Sequence, residues 1–216
     1  MEIAIIGAGN VGTALATTFT RAGHDVTITS RDPGHAGSAG AASGAHVATS
    51  AVEAVRAASV IVLAVWADSV PELAAEIADA ASGKTIVDVT NRISFGPSGP
   101  EIDTTASNAE EIAELFPGSS VVKGFNTLFA SRQVDPIVDD IRLDGFVAGD
   151  DPEAKAVVLE LARSIGLDPV DVGPLVRARQ LEGLAFLNMA LNIANDGAWQ
   201  SGWKLVGAPT SAPVAA

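Results

Sequence analysis

Glu2-Ile3-Ala4-Ile5-Ile6-Gly7-Ala8-Gly9-Asn10-Val11-Gly12, read with the turn of the chain that follows it, decides the fold. The apolar run at residues 2–6 stops at a glycine, which is how a strand buried on both faces of a parallel sheet reads. A helical stretch follows over residues 11–22, with Val11, Leu15 and Phe19 spaced by four on one face and Gly23 as its stop. A second strand at residues 25–29 completes a βαβ unit, and such a unit requires a parallel sheet.

Between that strand and that helix stands a G-x-G-x-x-G, Gly7-Ala8-Gly9-Asn10-Val11-Gly12. Gly7 permits a tight turn, Gly9 lets backbone amides approach a pyrophosphate, and Gly12 lets the helix lie against the strand. The uncapped amides and the positive helix end then hold the anion. An isolated match of this kind is often only a structural turn; here position, flanks and the βαβ context agree on dinucleotide binding. The second strand ends in Ser30-Arg31 where NAD-binding sheets usually offer an acid. A hydroxyl beside a guanidinium suits a 2′-phosphate and favours NADP. Asp32 is the alternative, as a ribose ligand of the NAD type or as a surface partner of Arg31.

Further out, the alternation continues. A Gly/Ser/Ala-rich segment at 33–45 reads as a loop or a weak surface helix. Helical pieces at 52–57, 70–80 and 108–115 separate strands at 60–65, 85–89 and 120–124, and a long Gly/Pro/Ser loop is expected over 91–100. This pitch predicts an α/β doubly wound parallel sheet, a Rossmann fold, with ligands beyond the carboxyl ends of its strands. After the acid-rich segment 135–140 come a strand at 145–148, a helix capped by Asp151-Pro152, a strand at 169–172 and a long helix at 175–194. The expected division is residues 1–138 as the NADP-binding domain and 139–216 as a smaller C-terminal α/β lobe for the acceptor and for dimerisation.

Of 216 residues, 48% are apolar, and 26 acids against 13 Lys plus Arg leave a net charge of −13. Such an acidic chain repels phosphate backbones and anionic lipid, so nucleic acid is not expected as a partner. Lysine stands only at positions 84, 123, 155 and 204, a pattern that fits either a salt-adapted surface or a GC-rich genome. The absence of cysteine excludes disulfides, thiolate nucleophiles and thiolate metal sites, and the absence of tyrosine excludes a phenolic proton donor. The apolar run at 60–67 is far too short for a bilayer, so no membrane partner is expected. Without a secretory start at residues 1–6, a cytoplasmic location is expected.

Together with the glycine loop, Ser30-Arg31-Asp32-Pro33, Asp88-Val89-Thr90-Asn91, Val122-Lys123-Gly124-Phe125-Asn126-Thr127 and the segment 168–175 resemble the NADPH-dependent coenzyme F420 reductase family. Its wider relatives include the oxidoreductase domain of ferric reductases. The resemblance runs from Ile3 to about Leu205 and rests on the Ser-Arg, Val-Thr-Asn and Phe-Asn-Thr segments more than on the glycines. It implies hydride transfer between NADPH and a deazaflavin (coenzyme F420) or a flavin (FMN or FAD), stacked in a cleft between two lobes. By the same resemblance Gly9, Asn10 and Val11 meet the pyrophosphate and Ser30 and Arg31 the 2′-phosphate. Ala64, Val65 and Trp66 border the nucleoside, Asn91 lies beside the nicotinamide, and Phe125, Asn126 and Thr127 wall the acceptor. The family often has a proline between Val65 and its tryptophan; here Trp66 follows directly, and a core or lobe-contact role is the equal alternative. No basic patch stands ready for the acidic tail of coenzyme F420.

Hydride transfer between stacked rings depends mainly on positioning, so a dedicated acid or base is dispensable. No catalytic residue is expected beyond the positioning amides of Asn91 and Asn126, which both donate and accept. Lys123 reads as a structural salt bridge before a proton donor. His24, His35 and His46 read as surface or capping residues, with His35 able to approach a 2′-phosphate. In the long helix the polar edge Asn188, Asn192, Asn195 reads as packing amides. Its apolar remainder must be covered, and the family's habit favours a homodimer. Trp199 and Trp203 are expected over the cleft or at the dimer seam. Two other functions compete: an NADPH-dependent imine or pyrroline-carboxylate-type reductase, and a non-catalytic NADP-sensing module.

Overall fold

The computed structural model describes residues 1–97 and 99–207. In chain order its elements are β1 (Glu2–Ile6), α1 (Asn10–Arg21), β2 (Asp25–Thr29), α2 (Pro33–Ser43), β3 (His46–Val47), α3 (Ala51–Ala57), β4 (Val60–Leu63), α4 (Val70–Ala81) and β5 (Thr85–Asp88). Then come β6 (Ile93–Gly96), β7 (Gly99–Ile102), α5 (Asn108–Leu115), β8 (Ser120–Lys123), α6 (Ala130–Val134), β9 (Ile137–Val138), β10 (Ile141–Arg142), β11 (Asp144–Gly149), α7 (Pro152–Ser164), β12 (Asp168–Asp171) and α8 (Ala178–Ala194).

The sheet has eight strands in the order β12-β11-β8-β5-β4-β1-β2-β3. From β3 to β8 every pairing is parallel, with Ile3 opposite both Val26 and Val60. The order reverses beside β1, which places the crevice at the carboxyl ends of β1 and β4. Alternation along the strands feeds two cores. Ile3, Ile5, Val60 and Val62 meet Leu15 and Phe19 of α1 and Val158 and Leu161 of α7 on one face. Ala4, Ile6, Ile61 and Leu63 meet Ile77 of α4, Ile112 of α5 and Val55 of α3 on the other.

Several expectations change. Residues 33–43 are a true helix, because Asp32 caps it (Oδ1 accepts from Gly34 N at 2.8 Å) and Pro33 occupies its first turn. The stretch 91–100 is not a plain loop: β6 and β7 form a hairpin there. The segment from 139 on does not build a sheet of its own. β11 pairs antiparallel with β8, Ala148 opposite Lys123, and β12 pairs with β11, so the C-terminal strands lengthen the one sheet. Buried glycines allow this: a Cβ at Gly145 would crowd Ala162 and Leu167, and one at Gly149 would crowd Val122. Among the described residues no helix is long and apolar enough to cross a membrane.

Candidate functional site

The turn after β1 is shaped by steric necessity. Gly7 has φ +114°, and a Cβ there would overlap the Ala64 carbonyl oxygen; one at Gly12 would overlap the Gly7 carbonyl oxygen. Gly9 differs: a Cβ on it would meet nothing within 4 Å, so it faces open space. Gly9 is also the N-cap of α1, no side chain caps that helix, and its first turn holds no acid. The first amides of α1 therefore point, uncapped, into a cleft with the helix's positive end behind them.

That cleft has a volume of about 890 Å³. It runs from Gly7, Gly9, Asn10 and Val11 past Ala64, Val65 and Trp66 to Ser30, Arg31 and His35. Its far end carries mixed charge. The guanidinium of Arg31 lies 3.4 Å from Ser69 Oγ and 3.9 Å from Glu72, both on the opposite wall. Asp32 caps the following helix through Oδ1, and the amides of His35 and Gly34 hold its carboxyl below the ordinary value. Trp66 is 80% exposed at the rim, so neither a core nor a lobe-contact role is available to it.

A second cleft, of about 460 Å³, adjoins the first, and Asn10, Val11 and Val89 line both. Ile93, Leu128, Phe129, Ala185, Met189 and Trp199 make it apolar; Asn91, Asn126, Thr127 and Ser131 are its polar points. Among the described residues no charged side chain lines it. Asn91 and Asn126 come together as the sequence suggests: Asn126 Nδ2 donates to Asn91 Oδ1 at 2.8 Å, and Asn91 Nδ2 donates to the Asn126 carbonyl at 3.2 Å. Asn126 is 6% exposed, and its Oδ1 accepts no hydrogen bond. A buried amide oxygen without a donor is uncommon and marks a place for one.

Phe125 is among the residues that line this cleft, though its ring points elsewhere. Its ring is 2% exposed and packs edge-on against Phe19 with centroids 5.7 Å apart, so it serves mainly the core. Its backbone sits at φ +58°, and Gln133, fully buried, donates Nε2 to its carbonyl at 2.7 Å. That bond from α6 steadies a conformation a non-glycine residue rarely adopts.

Behind Asn91 lies a buried charge cluster of Asp88, Lys123 and Glu182, whose joining the sequence does not announce. Lys123, fully buried, donates to Asp88 Oδ2 at 2.7 Å, to the Thr90 carbonyl at 2.6 Å and to Glu182 Oε1 at 2.7 Å. All three ammonium protons are thus satisfied within the protein, and the salt-bridge reading of Lys123 holds. Glu182 was missed; its signal was the one acid of α8, standing among Leu181, Leu184 and Ala185.

The C-terminal segment walls the smaller cleft. Asn188 and Asn192 bind Ser201, Asn192 accepts from Trp199 N at 3.0 Å, and Trp199 stands edge-on to Phe129 at 5.2 Å. Those asparagines are packing amides, Trp199 covers the cleft, and Trp203 instead packs on α8 through Nε1 to the Leu184 carbonyl. Arg132, also missed, fixes the same segment through the Gln200 carbonyl at 2.6 Å. His24 and His46 lie away from both clefts, hydrogen-bonded to Ser164 and facing Asp25 respectively.

Comparison with known proteins bears on this geometry. Residues 2–92 match the family described as "NADP oxidoreductase coenzyme F420-dependent". The chain is 32% identical over 211 residues to the F420-dependent NADP reductase of Methanothermobacter thermautotrophicus, covering 90% of each chain. It is 36% identical over 185 residues to the metalloreductase STEAP3 of Rattus norvegicus, covering 85% of this chain but 36% of that protein, about a third of its length. Among solved structures, a provisionally assigned F420-dependent NADP reductase from Arthrobacter sp. FB24 superposes with a TM-score of 0.85 at 31% identity, over 95% of this chain and 99% of that one.

Proposed function

For a chain that belongs to the NADP oxidoreductase coenzyme F420-dependent family, we propose a hydride-transfer enzyme working between NADPH and a deazaflavin or flavin ring. The observation that carries this reading is the meeting of a dinucleotide-sized cleft and a ring-sized apolar cleft at Asn10, Val11 and Val89. The protein fits the nucleotide: Gly9 leaves open the space a pyrophosphate needs, beside uncapped helix amides. When bound, NADPH supplies two electrons and a proton as hydride, and the acceptor takes one further proton from solvent.

The residues have distinct tasks. The amides at Gly9, Asn10 and Val11 hold the pyrophosphate, and Ser30 and Arg31 hold the 2′-phosphate once Arg31 turns from Glu72. Ala64 and Val65 border the nicotinamide riboside. Asn91, fixed by Asn126, orients the carboxamide. Thr127 and the Phe125 backbone shape the wall, and Met189 with Trp199 excludes water. Positioning of this kind supplies several kcal/mol without an acid or base.

A pyrroline-carboxylate substrate fits less well, since among the described residues no cation lines the smaller cleft to read a carboxylate, and α8 carries no lysine. The test is to mix the protein with NADPH and, separately, coenzyme F420, FMN, FAD and pyrroline carboxylate while following the nicotinamide absorbance. Loss with a ring acceptor supports the proposal. Loss with pyrroline carboxylate alone supports the imine-type reading, and tight NADPH binding without any loss supports a sensor. We also infer that two copies pair through α8, whose Leu187, Leu191 and Ile193 are exposed.

A further inference from the structure

Asn91 sits between two residues that are held from behind by one buried cluster. Its predecessor Thr90 is fixed at three atoms: N donates to Asp88 Oδ1 at 2.8 Å, the carbonyl accepts from Lys123 Nζ at 2.6 Å, and Oγ1 accepts from Asn108 Nδ2 at 3.0 Å. Its successor Arg92 is fixed at its amide, which donates to Glu182 Oε2 at 3.0 Å. The other oxygen of Glu182 accepts from Lys123 at 2.7 Å and from Asn108 N, the first amide of α5, at 2.9 Å. One carboxylate therefore ties the end of β8, the start of α5 and the loop that carries Asn91, and reaches the end of β5 through Lys123.

Glu182 belongs to α8, and Ala185 and Met189, three and seven residues further along one face of that helix, line the smaller cleft. The helix that walls the acceptor cleft is thus pinned to the loop that presents Asn91 to the nucleotide cleft. We propose that Glu182 is a positioning residue for hydride transfer, holding Asn91 and the α8 wall in one register so that the two rings meet at the right distance. The proposal rests on the functional reading above and adds a residue to it.

The cluster is built for this and not for stability alone. Two carboxylates share one ammonium in a site without water access, an arrangement that is seldom a net source of stability. Burial pushes the Glu182 carboxyl above its ordinary range, with the Lys123 ammonium opposing. The three N–H donors around Glu182 all require an acceptor, and the amide of a glutamine would present a donor to at least one of them.

The experiment compares wild type with Glu182→Gln. Three readouts are taken: amide hydrogen exchange at Arg92 and Asn108 without cofactor, NADPH affinity by calorimetry, and the single-turnover hydride-transfer rate to coenzyme F420 or FMN. The proposal expects faster exchange at both amides, NADPH affinity within about twofold, and transfer slowed about 10- to 100-fold, the size that a sub-ångström misplacement produces. Should the single variant not fold, Asp88→Asn/Lys123→Met/Glu182→Met removes the buried charges together and carries the same readouts. Unchanged transfer despite loosened amides, or unchanged amides, overturns the proposal. Wild type that binds NADPH but reduces no ring acceptor overturns the functional reading instead, and the role of Glu182 in transfer with it.

Discussion

Arg31 stands at the mouth of the larger cleft with Glu72 3.9 Å away and Ser69 3.4 Å away, so the only guanidinium lining that cleft among the described residues begins in competition. Its replacement by alanine removes a charge-assisted contact to the 2′-phosphate; the KM for NADPH should rise about 10- to 100-fold and that for NADH hardly change. Equal effects on the two coenzymes in steady-state assays would refute the assignment. Glu72→Gln acts in the opposite sense. Freeing Arg31 from an exposed partner should tighten NADPH binding about two- to fivefold in calorimetry, the scale of a surface ion pair. The residue scale is also where the sequence was read best and worst. Gly7 and Gly12 were legible because backbone sterics leave no substitute, and Gly9 because it completes their spacing and keeps open the space beside the helix amides. Trp66 and Phe125 were not, because whether an aromatic ring faces solvent, cleft or core depends on packing that their neighbours in the chain do not encode.

At the level of elements, α5 and α8 are joined by more than apolar contact. Ser107 and Glu110 form a capping box at the start of α5, and Arg179 of α8 grips both oxygens of Glu110 through Nη2 and Nε, at 2.7 and 2.8 Å. The Arg179 guanidinium, with Ser107 assisting, lowers the Glu110 carboxyl from its ordinary 4.5 to about 2. A depressed carboxylate stabilises the fold above its unfolded value and loses that contribution as pH falls through the folded one. Acid unfolding of wild type should therefore steepen between pH 4.5 and about 2. In Arg179→Met that limb should be shallower and stability at neutral pH somewhat lower, since the pair is partly screened by water. Chemical denaturation across that range checks both. A helix with an Asp-Pro start could be read from sequence, as α7 was. The helix α2 carried the same Asp32-Pro33 start but was obscured by its glycines, and the β6–β7 hairpin by Gly96, Pro97 and Gly99.

For the whole molecule, the doubly wound sheet was legible because strand and helix alternate over 120 residues, whereas the joining of β11 and β12 to it was not. An antiparallel strand reached after a hairpin leaves no local mark; the small residues Gly145 and Gly149 that let it pack are its trace. The α8 surface extends the account to assembly. Light scattering should give a dimer for wild type and a folded monomer for Leu187→Lys/Leu191→Lys, and a monomeric wild type would refute the pairing. The central claim is direct passage of hydride across the junction of two clefts. NADPH carrying deuterium at the transferring position of the nicotinamide, mixed with the protein and coenzyme F420, tests it by mass spectrometry of the reduced deazaflavin. The account predicts the label on the carbon of the deazaflavin ring. Unlabelled product, with deuterium lost to water, or no reduction of any ring acceptor, would contradict it.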